Sequence, residues 1–117
     1  MPSTDTQPIS RETAYRLLSK SRRRHLLTLL FELEEESLET LGRKIAARET
    51  DESPSDVPER TYTRVVTALI HCHIPYLADY GLVDYDRETR TVTLETAARE
   101  RFPFQTTEEQ FFTSLAD

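Results

Sequence analysis

Apolar residues fall at helical spacing through most of the chain. Ser10 can cap a short helix with Ala14, Leu17 and Leu18 on one face. Ser21 can cap a second helix that runs to about Leu33. In it Leu26, Leu27, Leu30 and Phe31 follow the helical period, and Leu29 and Leu33 widen the stripe. Ser37 opens a third, with Leu38, Leu41 and Ile45 inward and Gly42 inside at a small cost. ETDESPSDVPE, residues 49–59, is acidic, holds two prolines and reads as a loop. A long helix then spans about Arg60 to Tyr80, and Gly81 supplies its stop.

Beyond Gly81 the period changes. Leu82–Asp86 and Thr91–Glu95 are alternating or β-branched, and four polar residues lie between them, which is a hairpin signal. Thr106–Glu109 forms a T-x-x-E capping box that starts a last short helix with Phe111, Phe112 and Leu115. The expected fold is mainly α with a small β-hairpin: a winged helix-turn-helix with extra N- and C-terminal helices. Residues 1–9 read as a flexible N-terminus and 10–95 as the domain, with its wing at about 82–95. Residues 96–117 read as a C-terminal helical extension able to act as a dimer arm.

The stretch IHCHIPYLADYGLVDYD, residues 70–86, raises the question of a metal site. Helical neighbours are about 100° apart, so His71 and His73 face opposite sides and cannot share a metal. A fourth ligand at a zinc spacing is also missing. No metal site and no cofactor are expected. His73 reads as a hydrogen-bonded core histidine beside Tyr62, Val66, Leu69, Leu77 and Tyr80, and Cys72 as a small packed flank residue. Pro75 cannot donate to the carbonyl of His71, so a kink is expected near 71–75.

The outward face of the same helix carries Arg60, Arg64, Thr67 and His71 at i, i+4, i+7 and i+11, with small Ala68 beside them. Arginine reads guanine in the major groove, and small residues permit close approach. A plain solvated face is the bland alternative. The hairpin tip adds Arg87 and Arg90, placed as a wing would place them on phosphate, although Glu88 lies between. Two readings of the run Arg22, Arg23, Arg24 stand side by side: phosphate contacts, or pairs with the acidic run Glu34–Glu36.

Composition changes this picture in two ways. The chain has 117 residues and a net charge of −6, and of its fifteen basic residues only Lys20 and Lys44 are lysines. In ordinary salt that charge argues against nucleic acid. An acidic, lysine-poor surface also fits molar salt, where the Debye length is only about 3 Å and local charge alone matters. Two glycines leave no phosphate-cradling loop, and no HExxH or GxSxG motif occurs, so no enzyme and no catalytic residue is expected. One cysteine excludes an internal disulfide. Without an apolar span or signal peptide, a cytoplasmic protein with no membrane partner is expected.

AYRLLSKSRRRHLLTLL, SLETLGRKIAARE and IHCHIPYLADYGLVDYD, followed by a hairpin, resemble a winged-helix domain common in haloarchaea and known mostly as a domain of unknown function. At longer range the chain is similar to ArsR-type repressors, whose recognition helix ends in a segment matched by His73-Ile74, Leu77 and Gly81-Leu82-Val83. The resemblance covers residues 10–95 and implies a winged helix-turn-helix and transcriptional regulation. Two departures stand against it. The gap before the long helix is about ten residues and acidic, where a helix-turn-helix has about 3–4. The metal-sensing cysteines of the ArsR type are absent.

The expected partners are double-stranded DNA and a second copy of the chain. The homodimer is expected through Leu17, Phe111, Phe112 and Leu115. The alternative is a winged helix that has lost DNA binding and docks on another protein.

Overall fold

Two serines open helices by the same device. In the computed structural model, which describes residues 7–102, Ser10 Oγ accepts from the Thr13 amide at 3.0 Å to start α1 (Arg11–Leu17). Ser37 Oγ accepts from the Thr40 amide at 3.1 Å to start α3 (Leu38–Thr50). Each satisfies an amide that the first helical turn leaves without a carbonyl. Between them α2 (Ser21–Leu33) starts differently. Its cap is Lys20, and no side chain accepts from its first amides. Ser21, expected as the cap, is the first helical residue.

The sequence reading missed one strand. Glu34 takes φ 70°, which ends α2 and turns the chain into β1 (Glu35–Ser37). Glu-Glu-Ser has little intrinsic strand preference, so the strand exists through its partner. Glu35 lies opposite Thr93 and Ser37 opposite Thr91 of β3 (Thr91–Leu94). With β2 (Val83–Asp86) the sheet is antiparallel in the order β1-β3-β2. A short charged edge strand resists pairing with other chains.

Gly42 allows the next helix to come close. A Cβ there would stand 2.5 Å from Val66 Cγ2 and 3.1 Å from the Tyr62 ring. The glycine that costs α3 some helix propensity therefore seats α4 (Glu59–Ala68) against it. The acidic stretch expected as a loop over 49–59 is one only over 51–58, since Glu49 and Thr50 end α3 and Glu59 starts α4; it contains a 3-10 turn, Pro54–Asp56, and buries Val57.

The long helix continues through a π-turn, Leu69–His73, into α5 (Ile74–Asp79). The Ile74 amide donates to the Leu69 carbonyl five residues back. Pro75 has no N–H for His71 and its ring would strike that carbonyl. A turn wider by one residue relieves the contact. Where a kink is expected near 71–75, the helix carries a π-turn. At the end, the Leu82 amide donates to Leu77 and the Gly81 amide to Ala78, with Gly81 at φ 73°. Both bonds define a Schellman stop, and Leu77 and Leu82 bury completely beside it.

Leu26, Leu27 and Leu30 of α2, Leu38, Leu41 and Ile45 of α3, Val65, Leu69 and Leu77 of the long helix, and Val92 of β3 form one core at zero exposure. Residues 7–9 do not form a free tail. Ile9 is buried, and its amide donates to the Arg101 carbonyl at 2.6 Å, while Arg101 Nε donates to the Gln7 carbonyl at 3.0 Å. Arg101 lies on the short α6 (Ala98–Arg101). No helix among the described residues is long and apolar enough to cross a membrane.

Candidate nucleic-acid interface

The outward face of α4 follows from its pattern. Val65 and Leu69 are fully buried, while Arg60, Arg64, Thr67 and His71 are exposed and Ala68 is half-buried. Steps of four and three residues keep Arg60, Arg64 and Thr67 within a narrow arc of α4, and His71, in the π-turn beyond it, is exposed as well. Thr63, also exposed, belongs to the same arc. The sequence reading omitted it, although its spacing of three from Arg60 and four from Thr67 was available. Among the described residues Arg60 and Arg64 have no hydrogen-bond or ion-pair partner. Nearly all other arginines of the helices are tied down, Arg43 for example to Glu59 at 3.1 Å and over the Tyr62 ring at 4.0 Å.

The hairpin tip is built by Asp86. Its Oδ1 accepts from the amides of Glu88 at 2.9 Å and Thr89 at 3.4 Å, and Arg90 takes φ 57° to re-enter β3. Arg87, Glu88, Thr89 and Arg90 are all exposed. The structure therefore gives two separate outward sets, Arg60–Arg64–Thr67–His71 on the helix and Arg87–Arg90 on the tip.

The run at 22–24 differs from both readings of it. Arg23 is 6% exposed. Its Nε donates to the Leu17 carbonyl at 2.7 Å and its Nη2 to the Arg16 carbonyl at 3.1 Å. Arg24 Nη1 donates to the Leu18 carbonyl at 2.8 Å. These guanidiniums close the carbonyl end of α1, where a cation also meets the negative end of the helix dipole. Arg22 does pair with an acid, but with Glu49 through two hydrogen bonds and not with Glu34–Glu36. Phosphate contact by Arg23 is thereby corrected, because its donors are spent inside the molecule.

His73 is buried and His71 exposed, so the two lie on opposite sides as their spacing requires. Arg23 Nη1 stands 3.5 Å from His73 Nδ1, and the Arg23 guanidinium lies over the Tyr76 ring at 4.3 Å. Burial, with the Arg23 charge as a smaller cause, pushes the His73 pKa down. His25 is pushed down by burial and next by Arg48. Cys72 is exposed rather than packed. The π-turn adds a residue to that turn and shifts the phase from which its flank position was read. No metal-binding group of histidine, cysteine and acidic residues occurs among the described residues.

Leu17, expected at a dimer interface, has zero exposure within its own chain. It contributes to the core instead and offers no surface to a partner. Phe111, Phe112 and Leu115 lie outside the described residues.

No curated protein and no solved structure matches this chain. A family model described as a domain of unknown function, DUF7344, matches residues 15–93. That span runs from α1 through the three-stranded sheet and takes in both outward arginine sets, and the chain belongs to that family.

Proposed function

We propose that the chain is a DNA-binding transcriptional regulator built as a winged helix-turn-helix. In this reading α3 and α4 form the helix pair, α4 enters the major groove and the β2–β3 hairpin is the wing. The order helix, strand, helix, helix, strand, strand and the sheet order β1-β3-β2 support it. The observation that carries it is the outward pair Arg60 and Arg64, exposed and unpartnered among the described residues. From Arg60 to His71 the face runs about 16 Å at 1.5 Å per residue. That length suits several base pairs of a groove about 12 Å wide. Arg87 and Arg90 would meet phosphate beside it.

The working setting is a cytoplasm of high salt, where the net charge of −6 is screened. Counterion release adds little there, so affinity rests on base contacts and on two half-sites read by a dimer. The interface falls to Phe111, Phe112 and Leu115. Selection from random duplex DNA in about 2 M KCl, where only short-range contacts survive, should enrich one motif. Loss of that enrichment in Arg64→Ala is expected, and an unchanged motif at unchanged affinity refutes the reading.

A second reading is a winged helix that docks on another protein. The loop at 51–58 favours it, because exposed Asp51, Glu52 and Asp56 stand just before the exposed Glu59 and Arg60. These acids would repel phosphate at the entry of the reading helix. Recovery of a stoichiometric protein partner without DNA would decide for it.

A further inference from the structure

A cleft of about 480 Å³ opens between the start of α2, the end of α3 and the π-turn, lined by Lys20, Ser21, Arg22, His25, Glu49 and His73. Its volume falls in the range of small-ligand sites. We propose that this cleft binds the phosphate group of a small phosphorylated ligand. The proposal stands without the DNA reading.

Three features converge on an oxyanion. The first is the bare N-terminus of the 13-residue helix α2. It has no side-chain cap and no acid in its first turn. Its first amides and the positive end of the dipole therefore meet the cleft at Lys20, Ser21 and Arg22. The second is His73, only 8% exposed and on the wall of the cleft. Arginine can only donate, so Arg23 Nη1 at 3.5 Å fixes Nδ1 as the acceptor and leaves the proton on Nε2. That Nε2–H has no partner among the described residues. No buried side-chain nitrogen or oxygen among the described residues lacks a partner, so Nε2 is open to solvent, on a ring that lines the cleft. A nine-tenths buried ring thus presents one donor outward. The third is charge. Lys20 supplies an ammonium, and Arg23, Arg24 and Arg48 lie behind or beside the histidines. The one acid in the lining, Glu49, is paired with Arg22. Glu49 opposes the ligand and sets a modest affinity.

Free ligand is favoured over DNA as the source of the phosphate. His73 faces the side of the long helix opposite to His71, so the cleft lies behind the exposed arginine face. A ligand there would touch the π-turn from its inner side.

The three histidines of the chain make the test internal, since His25 and His73 line the cleft and His71 does not. Inorganic phosphate titrated into the full chain at constant potassium chloride is followed by nitrogen-resolved imidazole NMR. Expected are saturable shifts at His25 and His73 with a Kd on the order of millimolar, an unmoved His71, and a proton on His73 Nε2. Lys20 is exposed, so Lys20→Met keeps the fold; it should weaken binding roughly two- to fivefold, and Glu49→Gln should tighten it by a similar factor. Equal, non-saturating shifts at all three histidines would overturn the site. So would weaker binding in Glu49→Gln. A DNA duplex that shifts His25 and His73 would overturn the small-ligand assignment. If a duplex moves none of the three while phosphate moves two, the cleft stands and the DNA reading falls.

Discussion

Arg22, Arg23 and Arg24 open α2, and Arg60 and Arg64 open α4. Both sets sit in the N-terminal halves of their helices, Arg22–Arg24 and Arg60 in the first turn and Arg64 in the second, where a cation gains nothing from the dipole. Their surroundings set them apart. The α2 set faces the carbonyl end of α1 and the carboxylate of Glu49, so its guanidiniums are consumed by Leu17, Arg16, Leu18 and Glu49. The α4 set points away from α3 and the core, and among the described residues meets nothing. The same residue type at a similar helical position is structural in one case and available in the other. A run of arginines in a sequence is therefore poor evidence for phosphate binding until its neighbours are known.

The largest test of that contrast is Arg23→Ala. It leaves the buried Leu17 carbonyl without its donor, while the Arg16 carbonyl keeps Ser19, and it removes the cation over Tyr76. An unmet buried acceptor costs about 1–3 kcal/mol and a cation over a ring contributes about 0.5–1 kcal/mol, so a loss of about 2–4 kcal/mol is expected in urea unfolding. A loss under about 1 kcal/mol would show that Arg23 is no more structural than a surface side chain. Arg64→Ala should do the reverse. Stability should stay within about 0.5 kcal/mol, while affinity for the selected DNA falls by about 1–3 kcal/mol. If Arg64→Ala unfolds the chain, the contrast is gone.

A smaller effect follows from the histidines. Both His73 and His25 have pKa values lowered in the fold, burial being the first cause. The unfolded chain then binds more protons below about 6.5, the ordinary histidine value. Their contribution is fully present above that pH and is lost as pH falls through the lower folded values. Urea midpoints should therefore drop from pH 7 to pH 5, and replacing His73 by Gln should flatten the slope. The smallest effect is expected for Arg22→Gln. Its partner Glu49 is only partly buried, and such a pair contributes about 0.2–1 kcal/mol. A loss as large as that of Arg23→Ala would erase the distinction between a half-exposed pair and a buried hub.

The hydrophobic period and the caps carried most of the helices. Ser10, Ser37 and Gly81 act locally, through atoms within a few residues, and so can be read directly. Val83–Asp86 and Thr91–Leu94 carry β-branched and alternating residues, which made the hairpin readable too. β1 was not readable, because Glu35–Ser37 becomes a strand only by bonding to Thr91–Thr93, far away in the chain. The π-turn lay between these cases. Pro75 announced a kink, but the local pattern did not say that it would take the form of a turn wider by one residue.

The same division holds for function. The spacing of Arg60, Arg64 and Thr67 fixed that they share one face of α4, since helical geometry is a property of the local chain. Whether a charged side chain is free or occupied depends on residues outside its own helix, and folding brought Arg22 to Glu49 and Arg23 to the end of α1 and to His73. The cleft is wholly a product of that assembly. Lys20, Glu49 and His73 come from three separated segments, and no short-range pattern joins them.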